Sequence, residues 1–370
     1  IRTLCTEIGE KLGTKACMSA LTREEVGEFH LKESKTLSEI EQYIKEGALS
    51  SFLKPALYSK VPIVLTFGKF DGVHLGHQKI FSSVFRIGVE EGLKPAVLSF
   101  TIEKGSFFLQ GRKEMLSTED EHFTRLKNAG FQEVYLYPLT IEAARMSPED
   151  FVRIILIEAL KVKHLVVGTD CSFGYQGAGN VELLKNLQGK YGFSLTVVDK
   201  VLTKSPSGEK VEISSSYIRK ALEEGRVEEA AALLGRPYSI NGTVVHGKAI
   251  GRSLSFPTAN IFPKEGKLIP KEGVYYTKVM VLGEEYDAMT NIGRNPSISA
   301  ENPLTIESHL LNFDKEIYGE KIRISFLQRI REQKRFPNLD ALKAQLKADL
   351  CTVENCVKSK KTLTVERRMQ

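Results

Sequence analysis

Two histidines three positions apart, His74 and His77, lie in the glycine-rich stretch GKFDGVHLGH at residues 68–77. An apolar run of strand length precedes this stretch, at residues 61–67, and a segment with helical spacing follows it, at residues 78–91. Free amide groups at a helix N-terminus bind phosphate oxygens, and glycines let the backbone come close to them. Imidazoles can donate hydrogen bonds to phosphate as charge develops in a transition state. The pattern favours a phosphate site, although loop histidines or metal ligands would have the same spacing when taken alone.

A serine-rich segment, ISSSYIR at residues 213–219, stands before a second predicted helix. Serine hydroxyls and another helix N-terminus can hold a triphosphate, and Arg219 can act as a delocalised clamp on it. Serines are also common as plain helix caps. The segment therefore supports the phosphate site only together with the two histidines.

A second loop with phosphate-binding chemistry reads GKAIGRSLSFPTAN at residues 247–260. Loop amides and the cations Lys248 and Arg252 can cradle phosphates. The hydroxyl of Thr258 and the amide carbonyl of Asn260 are oxygen ligands of the kind that Mg²⁺ prefers. An ordinary turn is the alternative interpretation of the Pro-Thr-Ala-Asn sequence.

The elements that must position these residues fall into two patterns. Strand-like apolar runs alternate with helical stretches, two of which begin with a predicted capping serine, Ser117 and Ser147, followed by acids. This alternation predicts a parallel sheet covered by helices on both faces. After residue 235 short alternating strands predict an antiparallel, barrel-like region that ends with a helix at residues 339–350. The predicted strands are residues 61–67, 95–100, 133–137, 164–168 and 193–198, and then 239–246, 273–282, 286–292, 305–312 and 321–330.

On these motifs the chain resembles the bifunctional bacterial riboflavin kinases/FAD synthetases. The resemblance implies ATP-dependent phosphorylation of riboflavin to FMN, and adenylylation of FMN to FAD with release of pyrophosphate. It implies an α/β fold followed by a β fold: a Rossmann-like nucleotidyltransferase domain at residues 59–234, and a riboflavin kinase β-barrel with a C-terminal helix at residues 235–350. Residues 351–370 are expected to form a disordered basic tail.

The resemblance also implies roles for individual residues, with Mg²⁺ as cofactor. Glu307, on a predicted strand, is the expected general base of the kinase step, although a lone glutamate on a strand is usually just solvated. The other residues expected in catalysis are His74, His77 and Arg219, and Thr258 and Asn260 are the expected metal ligands. The expected ATP-binding residues are Gly68, Phe70, Asp71, Gly72, Gly76, Ser214, Ser215, Ser216, Gly247, Lys248, Gly251 and Arg252, and the expected flavin contacts are Asp170, Phe173, Asn291 and Arg331.

The chain departs from the family pattern at three places. Cys171 stands where an aromatic residue usually follows Asp170, and Ser255 replaces a glycine of the second loop. Residues 99–105, SFTIEKG, occupy a stretch that often carries a His-Pro pair. Two of these departures, Cys171 and residues 99–105, lie near the first site and concern the placement of the flavin there. The kinase assignment is therefore the firmer one. A riboflavin kinase with an impaired adenylyltransferase half is the alternative.

Residues 1–58 resemble a different family, the tRNA pseudouridine-55 synthases, in the C-terminal part of those enzymes. The matching stretches are IRTLC at residues 1–5, IGEKLG at residues 8–13, LTR at residues 21–23 and VGEF at residues 26–29. The catalytic Asp of that family lies upstream of the matching part. We therefore expect a remnant of a gene fusion or gene boundary without RNA-modifying activity. A degenerate helical extension is the alternative, and a longer fused chain is left open.

The composition favours an enzyme of the cytoplasm. The net charge is +6, the hydrophobic fraction is 42%, and the five cysteines form no CxxC pair, which indicates free thiols in a reducing compartment. No apolar run approaches the ~20 residues of a membrane span, and no secretory leader is visible. We expect small-molecule partners, no membrane and no nucleic acid, and leave a homo-oligomer open. A flavin-storage protein and an RNA-modifying protein with a flavin module are the rival hypotheses, and the phosphate-binding residues argue against storage alone.

Overall fold

The structure is a computed structural model that describes residues 57–101, 114–205, 208–246, 256–294 and 304–368, together with two short strands near the N-terminus. The chain divides into the units Ile1–Tyr58 and Ser59–Gln370. In the first unit, Glu25–Val26 pairs with Phe29–His30 in antiparallel register. The spacing of apolar residues also predicts a short amphipathic helix at residues 37–44, which lies outside the described residues.

A five-stranded sheet forms the first half of the larger unit, and all its strand pairs are parallel. Its order is β3-β2-β1-β4-β5, so the order reverses between β1 and β4. Every residue of β1 except its last is buried, as expected of a central strand in a sheet with helices on its faces. The parallel sheet expected from the sequence is therefore confirmed. Its strands are β1 (Ile63–Gly68), β2 (Lys94–Thr101), β3 (Glu133–Pro138), β4 (Val162–Gly168) and β5 (Ser194–Val198).

Helices connect and follow these strands, and a hairpin of β6 (Leu202–Lys204) and β7 (Lys210–Glu212) comes after β5. The predicted cap Ser147 accepts a hydrogen bond from the Asp150 amide, but the predicted cap Ser117 is wrong by one residue. Thr118 caps that helix in a capping box with Glu121. The helices are α1 (Leu75–Glu91), α2 (Glu119–Asn128), α3 (Ile141–Arg145), α4 (Pro148–Asp150) running into a π-helix (Phe151–Ala159), α5 (Val181–Tyr191), α6 (Ser215–Glu223) and α7 (Val227–Leu234).

A six-stranded antiparallel sheet follows in the order β8-β13-β10-β11-β12-β9. The sheet is curled, so that its two edges meet: the Val245 amide, just past one edge strand, donates to the Asn260 carbonyl of the other edge strand at 2.8 Å. The three-residue strand β9 was not predicted. The strands are β8 (Tyr238–Thr243), β9 (Ala259–Ile261), β10 (Gly273–Val281), β11 (Glu284–Arg294), β12 (Leu304–Leu310) and β13 (Lys321–Arg331).

The C-terminal helix α8 spans Leu339–Arg368, so the disordered tail expected from residue 351 is wrong. The helix continues because its further turns have something to pack against. Val353 is 0% exposed in an apolar cluster with Val274 and Tyr276 of β10, and the Cys356 thiol contacts the Gln328 side chain at 3.3 Å. None of the described helices is long and apolar enough to cross a membrane.

One hydrophobic core joins the curled sheet to helices α6 and α7. Helices α6 and α7 contribute Ile218 and Leu233 to the same buried cluster as Ile240 of β8 and Phe326 of β13. The segment before α2 adds Leu116 to this cluster. The helices between the parallel sheet and the curled sheet therefore fill the inside of the latter rather than acting as a loose linker.

Candidate active sites

A cleft of about 580 Å³ opens at the carboxyl ends of β1 and β4, where the strand order reverses. In open parallel sheets this is the place where ligands bind. The cleft brings together several residues predicted for the first site from distant parts of the sequence. Those that line it are Gly68, Phe70, Asp71, His77, Asp170, Ser215 and Arg219.

His77 lines the cleft, and His74 stacks on it with ring centroids 3.6 Å apart. Burial lowers the pKa of His74 to about 4, with Asp170 opposing and Arg236 adding to the shift. Burial also lowers the pKa of His77 well below its usual value, and the neighbouring His74 adds to this shift. Both imidazoles are therefore neutral at pH 7. The Nδ1 atoms of both are buried and have no hydrogen-bond partner within the protein.

The loop that holds these histidines has an unusual backbone. Phe70 and Val73 have positive φ values of 46° and 45°, and Gly72 has φ 80°. A Cβ on Gly72 would also lie 2.7 Å from the Leu116 side chain, so only glycine fits there. Non-glycine residues in this region store strain and are held by their surroundings, which is common at functional sites.

Asp71 and Arg219 form a buried ion pair with Nη2 to Oδ2 at 2.5 Å. The Asp71 carboxylate also accepts the amides of Leu116 and Ser117 at 3.1 and 3.2 Å. Ser215 donates from its hydroxyl to the Asp71 carbonyl at 2.9 Å. Asp71 is thus the acceptor that ties together the histidine loop, the segment before α2 and helix α6. The side chains of Asp71 and Arg219 both line the cleft, and Asp71 holds Arg219 in place.

Several residues predicted for the first site also have contacts within the protein or lie away from the cleft. Ser214 caps α6 by accepting the Tyr217 amide, and Ser216 is exposed beside it. Asp170 pairs with Lys200 at 3.5 Å at the edge of the cleft. Phe173 is only 3% exposed and packs against Phe67, with ring centroids 5.4 Å apart, so it lies behind the cleft wall rather than on it.

Several residues of this cleft were missed by sequence reasoning. Its apolar walls are formed by Phe67, Ile80, Phe100 and Met115. Only the positions of these residues in the strand and helix patterns could have indicated that they line a cleft. Cys171 also lines it, and burial raises the pKa of its thiol to about 12, so it is a neutral thiol. Along the described chain, Cys171, Cys351 and Cys356 are free, as expected.

Arg236 is a second missed residue. Its guanidinium donates to the Val73 carbonyl at 3.1 Å and to the Gly72 carbonyl, so it holds the histidine loop from outside the parallel sheet. Burial lowers its pKa to about 10, with Arg125 adding to the shift. Its neighbours Gly235 and Pro237 in the sequence indicated only a change of pattern.

The second site is a row of residues across the curled sheet. Asn260 of β9 lies directly opposite Glu307 of β12, and Glu307 lies directly opposite Asn291 of β11. The row continues from Asn291 through Val274 to Arg331. Directly paired residues point to the same face of a sheet. Four residues that the family resemblance assigned to the kinase site are therefore on one face, opposite the face that packs into the core with Ala259 and Ile261.

The row has local support. The Asn260 side-chain amide donates to the Thr258 carbonyl and hydroxyl at 3.2 and 3.3 Å, which fixes the two predicted metal ligands relative to each other. The side-chain carbonyl of Asn291 accepts a hydrogen bond from the side-chain amide of Gln333 at 2.8 Å. The Arg331 guanidinium is paired with Asp349 of α8 at 2.7 Å, a buried contact that anchors the helix.

Part of the second site lies outside the described residues. Gly247, Lys248, Gly251 and Arg252 belong to residues 247–255, of which the structure describes nothing. Within the described segments, no group of three or more His, Cys, Asp or Glu residues is arranged to hold a metal ion.

Comparison with family models divides the chain in three. A riboflavin kinase model matches residues 234–357, an FAD synthetase model matches residues 58–217, and a tRNA pseudouridylate synthase B C-terminal domain model matches residues 2–58. A bifunctional riboflavin kinase/FMN adenylyltransferase of Listeria monocytogenes is 39% identical over 77% of this chain and 90% of its own length. The chain belongs to the bifunctional riboflavin kinase/FMN adenylyltransferase family.

A further member of this family and a solved structure are also similar to the chain. The bifunctional riboflavin kinase/FMN adenylyltransferase of Bacillus subtilis is 35% identical over 77% of this chain and 90% of its own length. A crystal structure titled macrolide-efflux protein from Streptococcus pneumoniae superimposes with a TM-score of 0.72 at 30% identity, over 82% of this chain and 97% of that one. Below, the FAD synthetase half means residues 58–217, and the kinase half means residues 234–357.

Proposed function

We propose that the chain phosphorylates riboflavin to FMN and then adenylylates FMN to FAD, using one ATP in each step. In the first step the γ-phosphoryl group of ATP moves to the ribityl hydroxyl of riboflavin, and ADP leaves. In the second step a phosphate oxygen of FMN attacks the α-phosphorus of ATP, and pyrophosphate leaves. The observation that carries this proposal is the register that pairs Asn260 with Glu307, in a family with both activities.

The kinase step is proposed for the face of the curled sheet that carries Glu307. Its carboxylate accepts the proton of the ribityl hydroxyl and orients the oxygen towards the γ-phosphorus. Asn291, one strand further along the row, is proposed to contact the flavin. Arg331 is proposed to support this wall through its pair with Asp349 rather than to bind the flavin itself. Such a curled antiparallel sheet with a C-terminal helix is consistent with a riboflavin kinase β-barrel.

Mg²⁺ is proposed as the cofactor of the kinase step, held by Thr258 and Asn260. The two residues suit a hard cation because they offer a hydroxyl and an amide carbonyl. The side-chain amide nitrogen of Asn260 is bonded to Thr258, which leaves its carbonyl oxygen free of that contact. When bound, the ion would neutralise charge on the phosphates of ATP. The loop with Gly247, Lys248, Gly251 and Arg252 is proposed to hold the same phosphates.

The adenylylation step is proposed for the cleft at the ends of β1 and β4, in a Rossmann-like domain. The N-terminus of α1 and the neutral imidazoles of His74 and His77 face charge that develops on the phosphates. Because both imidazoles are neutral, they act as hydrogen-bond donors rather than as cations. Arg219, fixed by Asp71, supplies the positive charge. The apolar wall with Phe67 and Phe100 suits an aromatic ligand such as the flavin ring.

The proposal is tested by incubating the protein with riboflavin, ATP and Mg²⁺ and separating riboflavin, FMN and FAD by chromatography. We expect FMN to appear first and FAD after it. FMN without FAD, also when FMN itself is supplied, would restrict the activity to the kinase. Neither product, with riboflavin still bound, would indicate a flavin-binding protein without catalysis and would contradict the proposal.

A further inference from the structure

A short segment of the FAD synthetase half is bonded to the kinase half like an added strand. The Met115 amide donates to the Gly266 carbonyl at 2.8 Å, and the Leu268 amide donates to the Met115 carbonyl at 2.9 Å. Met115 and Lys267 form a parallel bridge between these two bonds. Met115 also lines the cleft proposed for adenylylation. The kinase half therefore reaches the wall of the other site through backbone hydrogen bonds.

Lys267 lies at the centre of this contact. Its ammonium group donates to the Leu116 carbonyl at 2.8 Å and to the Glu121 carboxylate at 2.6 Å, and its side chain is 1% exposed. It also lies over the Tyr238 ring at 4.6 Å. Burial lowers its pKa to about 8, and the Glu121 carboxylate opposes this shift. Burying an ammonium group is costly unless it is paired, so this position is specifically fixed by its partners.

The residues held by Lys267 hold the cleft in turn. The Leu116 carbonyl accepts a hydrogen bond from the Lys267 ammonium group, and the Leu116 amide donates one to the Asp71 carboxylate. The Ser117 amide donates a hydrogen bond to the other oxygen of the same carboxylate. Asp71 is the ion-pair partner of Arg219, whose Nε also donates to the Glu114 carbonyl at 3.0 Å. A continuous chain of contacts thus joins Lys267 to the arginine of the cleft.

We propose that Lys267, a residue of the kinase half, is a positioning residue for FMN adenylylation in the other half. It touches neither ATP nor flavin in this arrangement. It fixes the segment at residues 114–117, which sets where the Asp71–Arg219 pair stands against the phosphates of ATP. The inference rests on the proposed function and adds to it that the second reaction depends on a side chain from the half that performs the first.

The test compares Lys267→Met with Lys264→Met in the full chain. Methionine keeps the length of the lysine stem but removes its charge and its hydrogen bonds. Lys264 also pairs across the two halves, with Asp120 at 2.9 Å, but both side chains are exposed, so this pair contributes little. Both reactions are measured separately, with riboflavin or FMN as the supplied flavin.

We expect Lys267→Met to lower kcat for FMN adenylylation about 10- to 100-fold, because an ångström-scale misplacement of a charge-stabilising group can cost that much. The kcat for riboflavin phosphorylation should change less than about twofold in both variants, and Lys264→Met should retain adenylylation. Hydrogen exchange of the Leu116 and Ser117 amides should become faster in Lys267→Met. Unchanged adenylylation, or an equal loss of both activities in a folded protein, would overturn the inference.

If Lys267→Met does not fold because Glu121 is left buried without its partner, the double variant Lys267→Met/Glu121→Gln replaces it. Glutamine removes the charge, and its single carbonyl oxygen can still accept one of the two amides, of Thr118 and Asn241, that Glu121 accepts. The same selective loss of adenylylation is expected, and its absence would overturn the inference. A wild-type protein that makes FMN but no FAD would instead contradict the proposed function itself, so the two failures are distinguishable.

Discussion

Asn260 and Glu307 face each other in register across the two strands β9 and β12, although they are 47 positions apart in the sequence. One is a proposed ligand of Mg²⁺ and the other is the proposed base of the kinase step. Their pairing places a metal ligand and a proton acceptor on one face of the sheet. Both act in the proposed transfer of the γ-phosphoryl group, one on ATP and the other on riboflavin.

Glu307→Gln should separate the two activities. Glutamine keeps the size of the side chain but cannot accept the proton, so we expect riboflavin phosphorylation to fall by roughly 10²–10⁴-fold. Conversion of supplied FMN to FAD should be unchanged. Rates of both steps are measured by chromatography, with Glu285→Gln as control because Glu285 is an exposed residue of β11 that pairs with Lys278. Loss of adenylylation in Glu307→Gln would contradict a two-site enzyme.

His77→Ala should have the opposite effect. It removes a hydrogen-bond donor at the cleft, and removal of one such donor typically costs about 10²–10³ in kcat. FMN should accumulate from riboflavin while FAD formation falls. His164→Gln is the matched control, since that histidine contacts Glu91 and Thr196 and does not line the cleft. Circular dichroism checks that each variant is folded, and a folded His77→Ala protein with normal FAD synthesis would exclude a catalytic role.

Thr258→Val and Thr258→Ser test the proposed metal ligands. Valine keeps the shape of threonine but removes the hydroxyl, whereas serine keeps the hydroxyl. We expect the valine variant to need a several-fold higher Mg²⁺ concentration for half-maximal riboflavin phosphorylation and the serine variant to resemble the wild type. The measurement is a Mg²⁺ titration of the kinase rate. Equal Mg²⁺ dependence of all three proteins would assign the loop another role.

Stability should fall as the pH decreases from 6.5 towards 4. Burial lowers the pKa values of His74 and His122 to about 4 and that of His77 well below its usual value. The unfolded chain takes up protons on these histidines near pH 6.5, while the folded chain does not, so protonation favours unfolding. Each histidine should lower the free energy of unfolding by about 1 kcal/mol between pH 6.5 and 5.5.

Urea unfolding at a series of pH values measures this loss. The variants His74→Asn, His77→Asn and His122→Asn are measured one at a time. Each should reduce the slope of the free energy of unfolding against pH in that interval, when compared with the wild type at the same pH. A wild-type stability that does not change between pH 6.5 and 5.5 would show that these side chains can protonate in the folded state. These histidines should not lower the adenylylation rate of the folded protein over the same range, because burial keeps the pKa values of His74 and His77 well below 5.5.

The sequence predicted the elements with strong local patterns. The parallel strands were identified because continuous apolar runs alternate with helical spacing, and the long antiparallel strands because their apolar residues alternate. Strand β9 was missed because three residues are too few for a period. The end of α8 was missed because the lysine-rich composition hides Val353 and Cys356, whose contacts come from β10 and β13.

Residue types at the sites were predicted better than their partners. Asp71 and Arg219 were both assigned to ATP, and nothing local indicates that residues 148 positions apart form a pair. The contacts of Arg236 and Lys267 were missed for the same reason, since they exist only after the two halves pack together. Phe173 was expected at the flavin, but an aromatic residue next to a cleft has the same sequence pattern whether it faces the cleft or the core.

The core that α6 and α7 share with the curled sheet has a consequence for how the molecule comes apart. Ile218 and Leu233 of these helices belong to the same buried cluster as Ile240 and Phe326, so a cut after α7 would expose apolar surface on both fragments. Residues 59–368 should therefore lose their structure in a single calorimetric transition rather than in two. A fragment that ends after α7 would therefore carry an apolar face that the intact chain keeps out of water.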